Sequence, residues 1–268
     1  MSADHVPEHR RIAVFGGVYA NVPALAATLD DARRRGVEAI YCLGDVGGFG
    51  PDPDGAVSLL RESGVMMVQG NYDAAIAAAA PDCGCGYTDP RDNRFARLSY
   101  AYTLAHTSAE HRRWLGTLAP SRRIRLGRVT AELCHGSPRA VSEFLWESTT
   151  PDGMLDAMLC EAGADVLLCT HSGIKWRRAL PSGRLAVNVG VIGRPENDGR
   201  TNVWYAVLTA AGGGLDVEFV PVDYDHETQA RDMEAAGLPA EFVETIRTGW
   251  WTTCLEVLPA RERGRGRW

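Results

Sequence analysis

Four short glycine-bearing pieces of the chain carry side chains able to ligate a metal or move a proton: Leu43-Gly44-Asp45, Gly70-Asn71-Tyr72-Asp73, Cys134-His135-Gly136-Ser137-Pro138 and Cys169-Thr170-His171-Ser172-Gly173. A fifth, RIAVFGGVYANVPAL over 11–25, adds Tyr19. Aspartate, asparagine and histidine together form a mixed oxygen and nitrogen set, which suits Zn, Fe, Mn or Co better than Mg or Ca. The alternative is a metal-free cluster whose polar groups satisfy one another. Tyr19 and Tyr72 either act as catalytic acids or bases, which requires a phenol shifted from its ordinary pKa of ~10, or line a pocket for an apolar or aromatic substrate.

The elements around these pieces bring them together. Strand-like runs at 12–15, 39–43 and 65–68 alternate with helix-like runs at 23–34, 53–62 and 73–80, the pattern of right-handed βαβ units and a parallel sheet. Open α/β sheets bind ligands outside the carboxyl ends of their strands, and here those ends carry Gly17 with Tyr19, then Asp45, then Asn71 with Tyr72. Helical spacing at 91–118, with Ser108 as a cap, predicts one or two helices over an edge of the crevice. Shorter strands follow at 122–126, 129–134, 166–169, 185–189, 204–208 and 215–220, with helices at 151–161, 227–236 and 240–249.

In order and spacing the five pieces resemble the calcineurin-like metallophosphoesterases, in particular their small bacterial phosphodiesterase-like branch. That family carries D-x-H-G-N, G-D, G-N-H-D, H-G and G-H-T-H. The resemblance covers residues 11 to about 250 and implies an α/β fold, a four-layer α/β/β/α sandwich. It assigns Asp45, Asn71, His135 and His171 to one metal site, complete here. The other site has Gly17, Tyr19 and Gly173 where the family has ligands, leaving only the shared Asp45. The family's leaving-group histidine is Tyr72, with its partner Asp73 kept, and Val191 replaces a serine in the loop Asn188-Val189-Gly190-Val191-Ile192-Gly193. A two-metal site clamps the phosphoryl oxygens between its cations, so losing one removes several kcal/mol of charge stabilisation while leaving Lewis-acid chemistry open.

The 268 residues are 45% hydrophobic, as in an ordinary globular protein, and we read one domain over 11–258 between a flexible 1–10 and an Arg/Gly-rich disordered tail at 259–268. A net charge of -6 argues against a nucleic-acid face. No run of ~18 apolar residues is present to span a bilayer, and the start lacks the apolar core of a signal peptide, so a cytoplasmic protein is expected. Seven cysteines, mostly in apolar runs, suit buried thiols better than a disulfide framework; the exception is Cys83-Gly84-Cys85, which lies in a loop and reads as structural, the alternative being half of a metal or redox site.

The expected function is a repurposed enzyme. Tyr19, Tyr72, His135 and His171 are its catalytic candidates, and Arg139, Trp146 and Asp73 its substrate contacts. One divalent transition metal or none, and a small-molecule or peptide substrate, complete the reading. The rivals are a residual single-metal phosphatase or phosphodiesterase and a silent binding or regulatory protein.

Overall fold

A computed structural model describes residues 6–264. The described chain opens with β1 (Glu8–His9) and β2 (Arg11–Phe15), and β2 divides its side chains strictly between two cores. Ile12 and Val14 point into one apolar cluster, Ala13 and Phe15 into another, as the two-residue period of a strand dictates. Then follow α1 (Val22–Arg34), β3 (Ala39–Cys42), α2 (Pro53–Ser63), β4 (Met66–Met67) and α3 (Asn71–Ala78). Each of the first two helices starts where the sequence provides a cap: Asn21 accepts from the Ala24 N–H at 3.1 Å, and Asp52 from Gly55 at 2.8 Å.

α4 (Pro90–Ala105) and α5 (Ala109–Leu115) come next, with Ser108 capping the second as its spacing predicts. The remaining elements are β5 (Ser121–Leu126), β6 (Val129–Cys134), α6 (Asp152–Ala162), β7 (Val166–Cys169), β8 (Trp176–Ala179), β9 (Leu185–Asn188), β10 (Val203–Ala211), β11 (Gly214–Val222), α7 (His226–Ala235), α8 (Ala240–Thr248) and α9 (Ala260–Arg263).

Among the described residues the strands form two sheets, one in the order β11-β10-β2-β3-β4 and the other β1-β5-β6-β7-β9-β8. Ile12, Val14, Tyr41 and Leu43 of the first meet Ile124, Leu133, Leu168 and Val187 of the second in a cluster between the sheets. Helices cover the outer faces. Leu25, Leu29, Val57 and Leu60 of α1 and α2 pack on the first sheet, while Leu155, Met158 and Leu159 of α6 pack on the second. The protein is thus the expected α/β fold of two packed sheets flanked by helices. Within each sheet three adjacent strands run parallel, β2-β3-β4 in one and β6-β7-β9 in the other.

Two expectations need correction. The segment before residue 11 is not loose throughout, since Glu8 and His9 pair in parallel with Arg125 and Leu126 of β5. The tail is ordered at its start: α9 buries Glu262, whose carboxylate accepts from the Ser148 backbone N–H at 2.9 Å. Residues 1–5 and 265–268 lie outside the described part. An edge strand was also unforeseen, because β8 reads Trp-Arg-Arg-Ala and shows no apolar alternation, yet it pairs antiparallel with β9. Among the described residues no helix is long and apolar enough to cross a membrane.

Candidate metal centre

Asp45 follows β3, Asn71 opens α3 after β4, His135 follows β6 and His171 follows β7. Asp45, His135 and His171 are buried, and one ligand atom from each lies within 4.8 Å of the others. His135 Nε2 stands 3.0 Å from His171 Nδ1 and 3.2 Å from Asp45 Oδ2. Two imidazole nitrogens each ~2.0–2.1 Å from one Zn2+ are separated by about this distance.

The residues present fit a cation. His135 Nδ1 donates to the Leu43 carbonyl at 2.7 Å, which turns Nε2 toward Asp45 and His171. Asn71 spends its amide N–H groups on the Cys83 carbonyl at 2.8 Å and on Cys85 Sγ at 3.4 Å. Its Oδ1 is left buried without a partner, an acceptor with nothing to accept. Burial works against ionising Asp45, but the charge and hydrogen bond of His135 outweigh it and hold the carboxyl below the usual range. Burial likewise disfavours a charged His135, yet Asp45 raises it. His171 is pushed down to about 3, first by burial and then by the neighbouring His135. A neutral imidazole is the form that ligates.

The backbone is bent to make this arrangement. Tyr19, Asp45, Phe49, His171 and Cys254 all hold positive φ without being glycine, and all five line one crevice. Strained conformations of this kind gather at functional sites. Asn188 braces the His171 turn, donating from Nδ2 to the Thr170 carbonyl at 2.6 Å and to Ser172 Oγ at 2.9 Å.

At the positions the resemblance gives to the other metal, side chains fill the space. Gly17 sits at φ +52, and a Cβ there would overlap Val191 and come within 2.9 Å of the Tyr19 ring. A Cβ on Gly173 would meet Trp251 at 3.2 Å and Arg194 Nη2 at 3.6 Å. The crevice encloses a cavity of about 50 Å³ walled by Tyr19, Phe49, Phe95 and Phe242, with Ser99 and Arg194 adding polar groups.

The geometry treats the remaining predicted residues unequally. Tyr72 lines the crevice, but its hydroxyl bonds Ser99 Oγ at 3.1 Å, and burial keeps the phenol protonated. Tyr19 also lines it, and burial raises its pKa too, partly offset by Arg194. Asp73 is wholly buried and accepts from the backbone N–H groups of Asp45, Val46 and Gly70 at 2.8–2.9 Å, so it shapes the ligand turn and a substrate cannot reach it. Burial and the Asp45 carboxylate push Asp73 up to about 6, opposed by those amides.

Arg139 is not among the residues lining the crevice: it is exposed and paired to Glu143 on the turn after His135. Trp146 packs in a core cluster with Ile174 and Trp251, and the ring over His171 is that of Phe144, at 4.4 Å. Cys83 and Cys85, set apart from the other cysteines in the sequence, are joined in a disulfide; Gly84 at φ +59 turns the chain so that their Cα atoms lie 5.3 Å apart. Cys42, Cys134 and Cys169 are buried free thiols as expected. Sequence reading missed Arg194 and Phe144. Arg194 directly follows the Asn188–Gly193 loop already picked out, so adjacency to that loop was the available signal.

Residues 11–213 match the calcineurin-like phosphoesterase superfamily domain. The chain belongs to that superfamily. It is similar to a metallophosphoesterase from Sphaerobacter thermophilus, with 28% identity, 90% of this chain and 99% of that one covered, and a TM-score of 0.67. A hypothetical protein from Pyrococcus horikoshii shares the fold at a TM-score of 0.74 and 23% identity, over 90% of this chain and 99% of its own. An uncharacterized protein of Methanocaldococcus jannaschii is 25% identical over 252 residues, 89% of this chain and 98% of that protein. Superfamily members are typically metal-dependent, and Asp45, His135 and His171 form a possible metal site in this one.

Proposed function

We propose that this calcineurin-like phosphoesterase is a single-metal enzyme acting on a small molecule or the end of a peptide, by chemistry other than two-metal phosphoester displacement. The observation that carries this reading is a contrast within one crevice. Three ligand atoms, from Asp45, His135 and His171, converge on one side, where Asn71 also leaves a buried Oδ1 without a partner, whereas Val191 and Tyr19 crowd Gly17.

Asp45, Asn71, His135 and His171 would hold the cation. Bound there, it would supply Lewis acidity toward a carbonyl or phosphoryl oxygen or acidify a water. The chain itself does the rest. The phenyl rings of Phe49, Phe95 and Phe242 exclude water, which strengthens polar contacts made inside. Tyr19 keeps its proton, so its hydroxyl is a hydrogen-bond donor to substrate and not a base. Tyr72 is committed to Ser99 and holds the wall.

Elemental analysis, with Asp45→Ala as control, should find one equivalent of Zn, Mn, Fe or Co. Turnover of p-nitrophenyl phosphate and its bis ester should be negligible. Two tightly bound equivalents, or a kcat in the ordinary range of about 1 to 10³ per second, would reverse the reading. A residual single-metal phosphatase is the second reading, favoured by the ligand set and the likeness to the Sphaerobacter protein. It predicts slow hydrolysis of aryl phosphates that disappears in His135→Ala and His171→Ala.

A further inference from the structure

The crevice contains a positive charge that the protein does not neutralise. Arg194 is 6% exposed, and among the described residues it is the only lysine or arginine so deeply buried. Its Nε is buried without a hydrogen-bond partner. The carboxylates close to it in sequence are occupied, Glu196 by Lys175 and Asp198 by Arg200. Asp45 lines the same cavity but is held by His135 and by the Tyr72 backbone N–H at 2.9 Å. Tyr19, Tyr72 and Tyr87 line it too, but burial keeps their phenols protonated, and His171 is never an anion.

What Arg194 does have is aromatic surface. Its guanidinium carbon lies 3.6 Å from the Trp251 ring centre, with Tyr19 and Phe49 at 5.9 and 5.7 Å. Ring faces attract a cation, but they leave its N–H donors unused, and a buried ion with unused donors is costly. A guanidinium presents those donors as a planar fork that matches the paired oxygens of a carboxylate or phosphoryl group. Its Nη2 is also the polar atom nearest the position a Gly173 side chain would take.

We infer that Arg194 is the binding group for a compact oxyanion on the substrate, phosphoryl or carboxylate, held in the crevice that Asp45 and His171 also line. This rests on the proposed function for what then happens to the substrate; anion binding itself needs no metal.

The test is calorimetric titration of the full chain, stripped of metal and again with one equivalent of Zn2+, using inorganic phosphate and separately acetate. The Arg194 Nε–Hε resonance, assigned by its absence from Arg194→Lys, is followed by NMR in parallel. Saturable one-to-one binding of either anion is expected in both states, with that resonance shifting. Affinity should drop at least tenfold in Arg194→Met and less in Arg194→Lys, and the anion that binds tighter identifies the group. Absence of binding by both anions, binding that leaves the resonance unmoved, or undiminished affinity in Arg194→Met overturns the inference. The resonance in the unaltered chain decides the matter even where a variant folds poorly. Metal stoichiometry, read separately, tells failure of this inference from failure of the single-metal reading.

Discussion

His135 and His171 face each other with ring nitrogens 3.0 Å apart, and a 2.7 Å bond to the Leu43 carbonyl holds His135 from behind. Its Nδ1 is fixed by the Leu43 carbonyl, while Nε2 of His171 is buried with no partner. An outer hydrogen bond of this kind is worth about 10–100-fold in metal affinity. We expect His135→Ala to weaken Zn2+ binding more than His171→Ala, by a factor of about that size. Competition with a chromophoric chelator measures both. Equal losses would mean the Leu43 bond does not preorganise the ligand.

Restoring a second metal should require more than restoring its ligands. Gly17→Asp forces a side chain at φ +52 into Val191, and we expect it to destabilise the fold by about 1–3 kcal/mol in urea unfolding. Adding Val191→Ser should recover part of that loss. Gly17→Asp, Tyr19→His and Gly173→His together should bind a second equivalent of metal only when Val191→Ser is also present. A stable Gly17→Asp protein with two metals would refute the steric account.

Tyr72→Phe tests whether that residue is wall or catalyst. Losing the bond to Ser99 should cost about 1 kcal/mol of stability, leaving metal affinity and any turnover of an identified substrate within about twofold. A collapse of turnover with unchanged binding would make the hydroxyl a reacting group.

Acid stability offers a check remote from the crevice. Burial disfavours ionised Asp31, but hydrogen bonds from Arg35 and Tyr205 outweigh it and lower the carboxyl below its ordinary value. A group depressed in the folded state stabilises the protein above its unfolded pKa of ~3.9, and that contribution fades as pH falls through the folded value. Asp31→Asn should therefore lower stability at pH 7 and flatten the acid limb of a stability-versus-pH curve below about pH 4. Parallel curves for the two proteins would show that the Arg35 and Tyr205 contacts add nothing.

Much of the fold was legible because period and caps act locally. Val129–Cys134 and Val166–Cys169 alternate or run apolar along their whole length, and Ser108 marks its helix without help from distant residues. The candidate ligands were legible for a different reason, since short turns at strand ends fix which residue points inward. Arg139 and Trp146 do not line the crevice, because adjacency to His135 says nothing about which way the chain leaves the turn: Arg139 turns back to Glu143, and Trp146 enters a core shared with Leu255 and Leu258. Arg194 was hidden because an arginine normally signals surface, and only the aromatic neighbours Trp251 and Phe49, far away in sequence, make a burial site for it.

The place of β10 between β2 and β11 has a kinetic consequence. Val14, in the first long strand, takes its second-edge partner from Ala206, so the central ladder of the sheet that carries Asp45 and Asn71 joins segments nearly two hundred residues apart. Pairings that distant are slow to close, because the loop entropy is lost before the contact is made. During synthesis on the ribosome, β2 and β3 thus exist with one bare apolar edge until most of the chain has emerged, and an exposed strand edge is a template for aggregation. Arrest of translation before residue 206 should leave a nascent chain in which Asp45 and Asn71 lack the sheet that aligns them.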